Sequence, residues 1–328
     1  MEESCKQKLM KLLLIFKMRN VNKNATIALI IALLFSQIIF GQGKVGRTAT
    51  KKQVSIPFRL TADNNLSVRA VLNKIDTVEL MFHTAASSVT LTEEATQKAH
   101  SLKFGRTDSV KSWGGGGNSS RFSESNSLQI GDLQWENMPI WENKNSGPKT
   151  DGKFGTDLFK DKVIEVDFDK GMITLHSKLP NKIKRYEKLN LSFSDDMMFL
   201  EAGCEIGKDI YKNKFLIHSG YSGAVLLDDK FIAENKIEQK LKVIDEKELK
   251  DSFGNIIKTK KTILPAFVIG NHKLVEVPAG FFSGAIGRQK MSIIGGDILK
   301  RFNIIIDAQR QFIYLKSNKL DQANYTNT

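Results

Sequence analysis

The feature that most constrains this chain is a repeat of its own pattern at a spacing near 140 residues. Val163 to Leu175 reads VIEVDFDKGMITL, and Asn303 to Leu315 reads NIIIDAQRQFIYL. Gly155-Thr156-Asp157-Leu158-Phe159 precedes the first block and Gly295-Gly296-Asp297-Ile298-Leu299 the second. Upstream, Leu128-Gln129-Ile130-Gly131 with Pro139 corresponds to Phe267-Val268-Ile269-Gly270 with Pro278. Earlier still, Leu80 to Ser87 (LMFHTAAS) corresponds to Phe215 to Ser222 (FLIHSGYS). Paired blocks in one order at nearly constant offset mean two copies of one unit. The boundaries fall at residues 48–185 and 186–320, with 321–328 as a tail.

Each copy is built from strand-length apolar bursts. VSIPFRL, TVELMF, VIEVDF, AVLL, AFVIG and FIYL are four to seven residues long, rich in Val, Ile and Phe, and bounded by Gly, Asn, Asp or Lys. Helical signals are scarce. Leu91 to Ala99 is one, with Thr92 as N-cap and two glutamates in the first turn, and Leu227 to Gln239 is a second. The fold class is therefore all-β with short helices. Lys236 to Lys250, dense in Lys and Glu, reads as a solvated helix-loop surface.

Residues 1–43 stand apart. Ala25 to Gly41 is one apolar run preceded by Lys11, Lys17, Arg19 and Lys23, and Gly41-Gln42-Gly43 supplies small residues after it. That layout predicts a secretory signal peptide, with an uncleaved anchor as the rival and Met18 as an alternative start. The expected location is outside the cytoplasm: periplasm, envelope or medium, with membrane contact only through this segment. The two cysteines, Cys5 and Cys204, exclude a disulfide scaffold, and Cys204 reads as a small buried hydrophobe. The net charge of +13 suggests nucleic acid, but the basic residues are spread evenly with no arginine cluster, so no nucleic-acid partner is expected.

A strand running into a Thr/Ser-containing loop, then a Gly-x-Asp-Leu turn, then a strand–turn–strand, twice over, resembles the lobe of aspartic proteases. The chain is similar to the bacterial two-lobed, retropepsin-like (clan AA) aspartyl protease family over nearly all of the sequence after the leader. His218-Ser219-Gly220-Tyr221-Ser222-Gly223 stands where the family has Asp-Ser/Thr-Gly-Ala/Tyr-Ser-Gly, and His83-Thr84-Ala85-Ala86-Ser87 holds the matching place in the first half. Ile293-Ile294-Gly295 matches the family's hydrophobic-hydrophobic-Gly segment; in Lys153-Phe154-Gly155 a lysine replaces the first hydrophobe. The resemblance implies a bilobal fold with His83 and His218 at the two dyad positions. It also implies a peptide or polypeptide ligand in a cleft lined by His83, Thr84, Ala85, His218, Ser219 and Gly220. Trp113 and the glycines after it lie where the family's flap closes.

Both aspartates of the dyad are histidine here, and the first loop's glycine is Ala85. Aspartic catalysis needs two carboxyls sharing one proton. Two imidazoles carry no negative charge, and crowding them pushes at least one below the usual value near 6.5. Three functions follow: a pseudoprotease whose cleft binds a peptide or other ligand, a hydrolase using a His-based dyad, or an envelope scaffold. A metal site would use both imidazoles, but no carboxylate or cysteine lies nearby in sequence, so neither a metal nor a cofactor is expected. Asp157 and Asp297 read as first-turn residues of short helices, Asp167 and Asp307 as strand residues at an exposed phase, and His100, His176 and His272 as surface residues.

Overall fold

The computed structural model describes residues 53–111, 117–144, 147–250, 256–282 and 289–326. In the first half, an eight-stranded sheet runs Arg59–Leu60, Leu66–Leu72, Asp76–Phe82, Gly152–Phe154, Val89–Thr92, Leu133–Asn143, Gly117–Ile130, Arg106–Lys111. It curls back on itself, because Leu66–Leu72 also pairs with Gly117–Ile130. The second half repeats the order with Met197–Ile206, Asp209–His218, Ser292–Gly295, Val225–Leu226, His272–Phe281, Ile256–Ile269 and Asp245–Lys250. There the closure is between Met197–Ile206 and Ile256–Ile269. Even the parallel pairings match: Phe82 lies opposite Phe154, and Ile217 opposite Ile294. The protein is all-β and bilobal.

The hairpins that carry the sequence repeat meet between the lobes. Val163–Asp167 pairs antiparallel with Phe302–Ile306, with Ile164 opposite Ile306 and Val166 opposite Ile304. Met172–His176 and Gln53–Pro57 flank one side, Phe312–Ser317 and Glu187–Ser194 the other, so six strands drawn from both halves form one sheet. All five residues of each central strand are buried. In the first lobe Phe82, Phe154 and Phe159 meet with ring centroids 5.4 to 5.8 Å apart. Each fully buried Phe stabilises the fold by roughly 2–3 kcal/mol, and this cluster supports the end of the strand that carries His83.

The helix at Glu93–Lys98 is capped by Thr92, whose side chain accepts from the Ala95 amide. The second expected helix is broken in two, Asp229–Asn235 and Ile237–Lys240, at Lys236, whose φ of 52° lies in the left-handed region. Asp228 caps the first piece. Downstream, the expected helix-loop surface contains a strand instead. Asp245–Lys250 is the outer strand of its sheet, with Glu246 opposite Lys260 and Asp245 ion-paired to Lys261. Its acidic residues opposite lysines of the neighbouring strand, rather than any local pattern, hold it as a charged edge strand. Cys204 is fully buried.

Asp167 and Asp307 are not exposed. Both are buried at the tight turns of the repeated hairpins, where their carboxylates accept from backbone amides of Lys170 and of Gln309, Gln311 and Phe312. A turn leaves amides without sheet partners, and a short carboxylate supplies the acceptor. His176 is likewise buried, 2.8 Å from Glu165 Oε2 inside the shared sheet, and His272 is half-buried against Phe302. His100 is exposed as expected. Asp157 and Asp297 lie in the first turns of Thr156–Phe159 and Gly296–Leu299.

Candidate functional site

Two matching loops meet at the lobe junction. Asp76–Phe82 ends at His83, and Asp209–His218 ends at His218 itself. Each histidine carbonyl accepts from an amide three residues on, Ala86 to His83 and Tyr221 to His218, so both chains turn in the same way. The flanking segments need glycine because they pass hard against these turns. A Cβ at Gly155 would lie 1.8 Å from the Ala86 carbonyl oxygen, and one at Gly295 2.2 Å from that of Gly223.

The loops are clasped to each other. The Thr84 hydroxyl accepts from the Ser219 amide at 3.0 Å and donates to the Ile217 carbonyl at 2.6 Å. Reciprocally, the Ser219 hydroxyl accepts from the Thr84 amide at 3.0 Å and donates to the Phe82 carbonyl at 2.7 Å. Asn65 adds a bond to the Ser219 carbonyl at 2.9 Å. All of these groups are buried, where hydrogen bonds are strong and directional. The clasp fixes the histidines that precede Thr84 and Ser219. Thr84 and Ser219 are both in the cleft lining expected from sequence, and the signal for their clasping role is a hydroxyl at each of two equivalent positions.

His83 and His218 are brought together, with ring centroids 4.5 Å apart and planes at 63°. The pair is not symmetric. His83 Nδ1 accepts from the Ala85 amide at 3.1 Å, which leaves the proton of the neutral ring on Nε2. His218 Nδ1 is buried and has no hydrogen-bond partner among the described residues. The His83 ring lies against Gly220, where an added Cβ would be 2.3 Å from its Cδ2. The equivalent residue of the first loop is Ala85, whose methyl denies His218 the mirror-image position. Ala85 and Tyr221, from the two loops, join Met197, Phe199 and Met291 in a half-buried apolar cluster packed on Leu216, Leu226 and Ile293. Trp113 lies outside the described residues.

Lys153, which departs from the hydrophobic-hydrophobic-Gly pattern, has no sequence signal that marks it as functional. It sits in Gly152–Phe154, one residue before Phe154, whose carbonyl accepts from the His83 amide at 2.9 Å. Burial pulls its ammonium down to about 8. Burial, the neighbouring His218 and then Lys153 hold His83 well below the usual imidazole range. Burial and Lys153 bring His218 down to about 4. Near neutral pH both rings are therefore neutral, with a positive charge beside them, where an aspartate dyad would carry a negative one. No third His, Cys, Asp or Glu joins the pair in a metal-holding group among the described residues.

No family model matches the chain, and no curated protein matches it. Among solved structures it is similar to the crystal structure of an aspartic proteinase from Irpex lacteus, with a TM-score of 0.57 and 12% identity. The match covers 83% of this chain and 99% of that one. The likeness is one of fold: this chain has the two-lobed all-β architecture of an aspartic proteinase.

Proposed function

We propose that this protein is an exported relative of the bacterial retropepsin-like aspartyl proteases that has lost acid catalysis and holds a peptide or polypeptide between its lobes (48–185 and 186–320) without cutting it. The observation that carries this reading is the His83–His218 contact at 4.5 Å between centroids in a clasped loop pair. The clasp holds the two loops in a fixed pair, which supports a retained binding site, while the residues within it cannot supply the shared proton and single negative charge of a carboxyl dyad. A His-based hydrolase is a weaker reading. A ring with a pKa near 4 is a poor base for activating water at neutral pH, and His83 Nδ1 is already occupied. The half-buried apolar cluster that Tyr221 and Ala85 of the two loops form with Met197, Phe199 and Met291 supports binding of apolar side chains.

The test is incubation of the full-length chain with fluorogenic peptide pools from pH 3 to 7, beside equilibrium dialysis of the same pools. The expected outcome is retention of peptides without cleavage above that of a His83→Ala/His218→Ala double variant. Cleavage abolished by His218→Ala would replace this reading with the His-dyad enzyme.

A further inference from the structure

Lys153 occupies a position that the opposite lobe fills with Ile293, a buried residue of the strand Ser292–Gly295. The repeat therefore supplies an internal control: the architecture asks for an apolar side chain there, and this chain carries an amine. Met81 lies opposite Lys153 on one side and Thr90 on the other, so neither neighbouring strand offers it a carboxylate in register. Lys153 has no ion-pair partner among the described residues, although the fold pairs other buried charges closely. Glu165 has His176 and Lys182, and Asp297 has Lys300 at 2.7 Å. A half-buried ammonium without a counter-charge is costly, and an outside anion would relieve that cost.

The two rings point to the same chemistry. His83 accepts at Nδ1 and so presents its N–H at Nε2, and His218 Nδ1 is an orphaned buried polar atom. Lys153 stands on the flanking strand opposite Met81, which lies two residues before His83 and on the same face of the sheet, and its charge helps hold both rings low; among the described residues no carboxylate offsets it. An ammonium and two imidazoles, with no acid paired to them among the described residues, form a set of donors for an oxyanion.

We propose that the ligand group held against His83, His218 and Lys153 is a peptide carboxylate, either an acidic side chain or the chain's own C-terminus. This rests on the peptide-binding reading above and gives it a substrate class: anionic peptides, in place of the neutral scissile amide that a carboxyl dyad addresses. A negative charge at this point favours protonated imidazole, so binding takes up protons and tightens as pH falls from 8 toward 5.

The probes are three heptapeptide pools randomised at the flanking positions: one blocked at both ends with central Glu, one blocked with central Gln, and one with central Gln and a free C-terminal carboxylate. Retention by the full-length chain is measured by equilibrium dialysis and mass spectrometry at pH 6 and 8. The expected result is about ten-fold preference for the Glu or the free-carboxylate pool over the blocked Gln pool at pH 6, smaller at pH 8. Which of the two is retained identifies the source of the carboxylate. Lys153→Met, which restores an apolar side chain, is expected to abolish the preference, and Lys153→Arg to keep it. In NMR titrations, the retained pool should raise the pKa of at least one of the two rings, which a purely structural lysine would not cause. Equal retention of all three pools, or a preference that survives Lys153→Met, would overturn the proposal and leave the peptide-binding reading standing. Retention of no pool by the wild-type chain would remove both.

Discussion

At the scale of single residues, the two imidazoles couple the site to stability. Both folded-state pKa values lie below the unfolded value, so the unfolded chain binds more protons than the folded one between about pH 6.5 and 4. The contribution of the pair is fully present above pH 6.5 and is lost as pH falls toward the folded value. For His218, brought down to about 4, the loss is on the order of 3 kcal/mol. His218→Asn should flatten the pH dependence by about that amount. Urea unfolding of both proteins at pH 7 and 4.5 measures it, and identical slopes would mean that the ring titrates in solvent. Sequence alone located both histidines, because the repeat aligns their loops. It did not reveal which ring keeps a free nitrogen. That depends on Ala85 against Gly220, a difference of one methyl whose effect appears only when the loops face each other. The role of Lys153 was hidden for the same reason: a lysine in an apolar pattern gains meaning only from what lies across the junction.

At the scale of elements, the clasp has a cost that can be measured. Thr84→Val keeps the shape of the side chain but removes the hydroxyl that both accepts from the Ser219 amide and donates to the Ile217 carbonyl. Two buried backbone groups would be left without partners, which costs about 2–4 kcal/mol. Ser219→Ala exposes the reciprocal pair. Because the hydroxyls belong to one network, the double variant should lose less than the two single losses added. Chemical denaturation of the four proteins completes the cycle, and simple additivity would mean that the two halves of the clasp act independently. Elements with strong local signals were legible, among them the Thr92-capped helix and the duplicated hairpins. Asp245–Lys250 was not, because DEKELK has the composition of a solvated helix. Its cross-strand partners, Lys260 and Lys261, lie well along the sequence on the neighbouring strand, and pairing over that distance overrides local preference.

At the scale of the whole molecule, the two lobes have separate barrels but no separate cores. The central strands Val163–Asp167 and Phe302–Ile306 belong to different halves, and one apolar cluster runs through both. Polar links follow the same path. Asn303 accepts from the Phe168 amide at 2.8 Å and donates to Asp169 at 2.7 Å. Near the end of the chain, Thr326 is tied to Asp297 in the second lobe and accepts from Asn64 in the first. A further tie is Arg310, buried at the turn of the second repeated hairpin. Its guanidinium donates to its own turn at the Asp307 carbonyl and, across the junction, to the carbonyls of Lys162 at 2.9 Å and Phe159 at 3.0 Å. Neither lobe can lose this sheet without exposing the other's edge, so unfolding is expected to be one cooperative event with equal calorimetric and van't Hoff enthalpies. Arg310→Ala leaves three carbonyls without that donor, those of Phe159 and Asp307 in a buried setting, and should cost about 3 kcal/mol or more, while the single transition is retained. Two resolved peaks in the wild-type calorimetric scan would show that the halves fold independently and that the shared sheet is only a contact. A variant that splits one peak into two would instead locate the coupling in Arg310 itself.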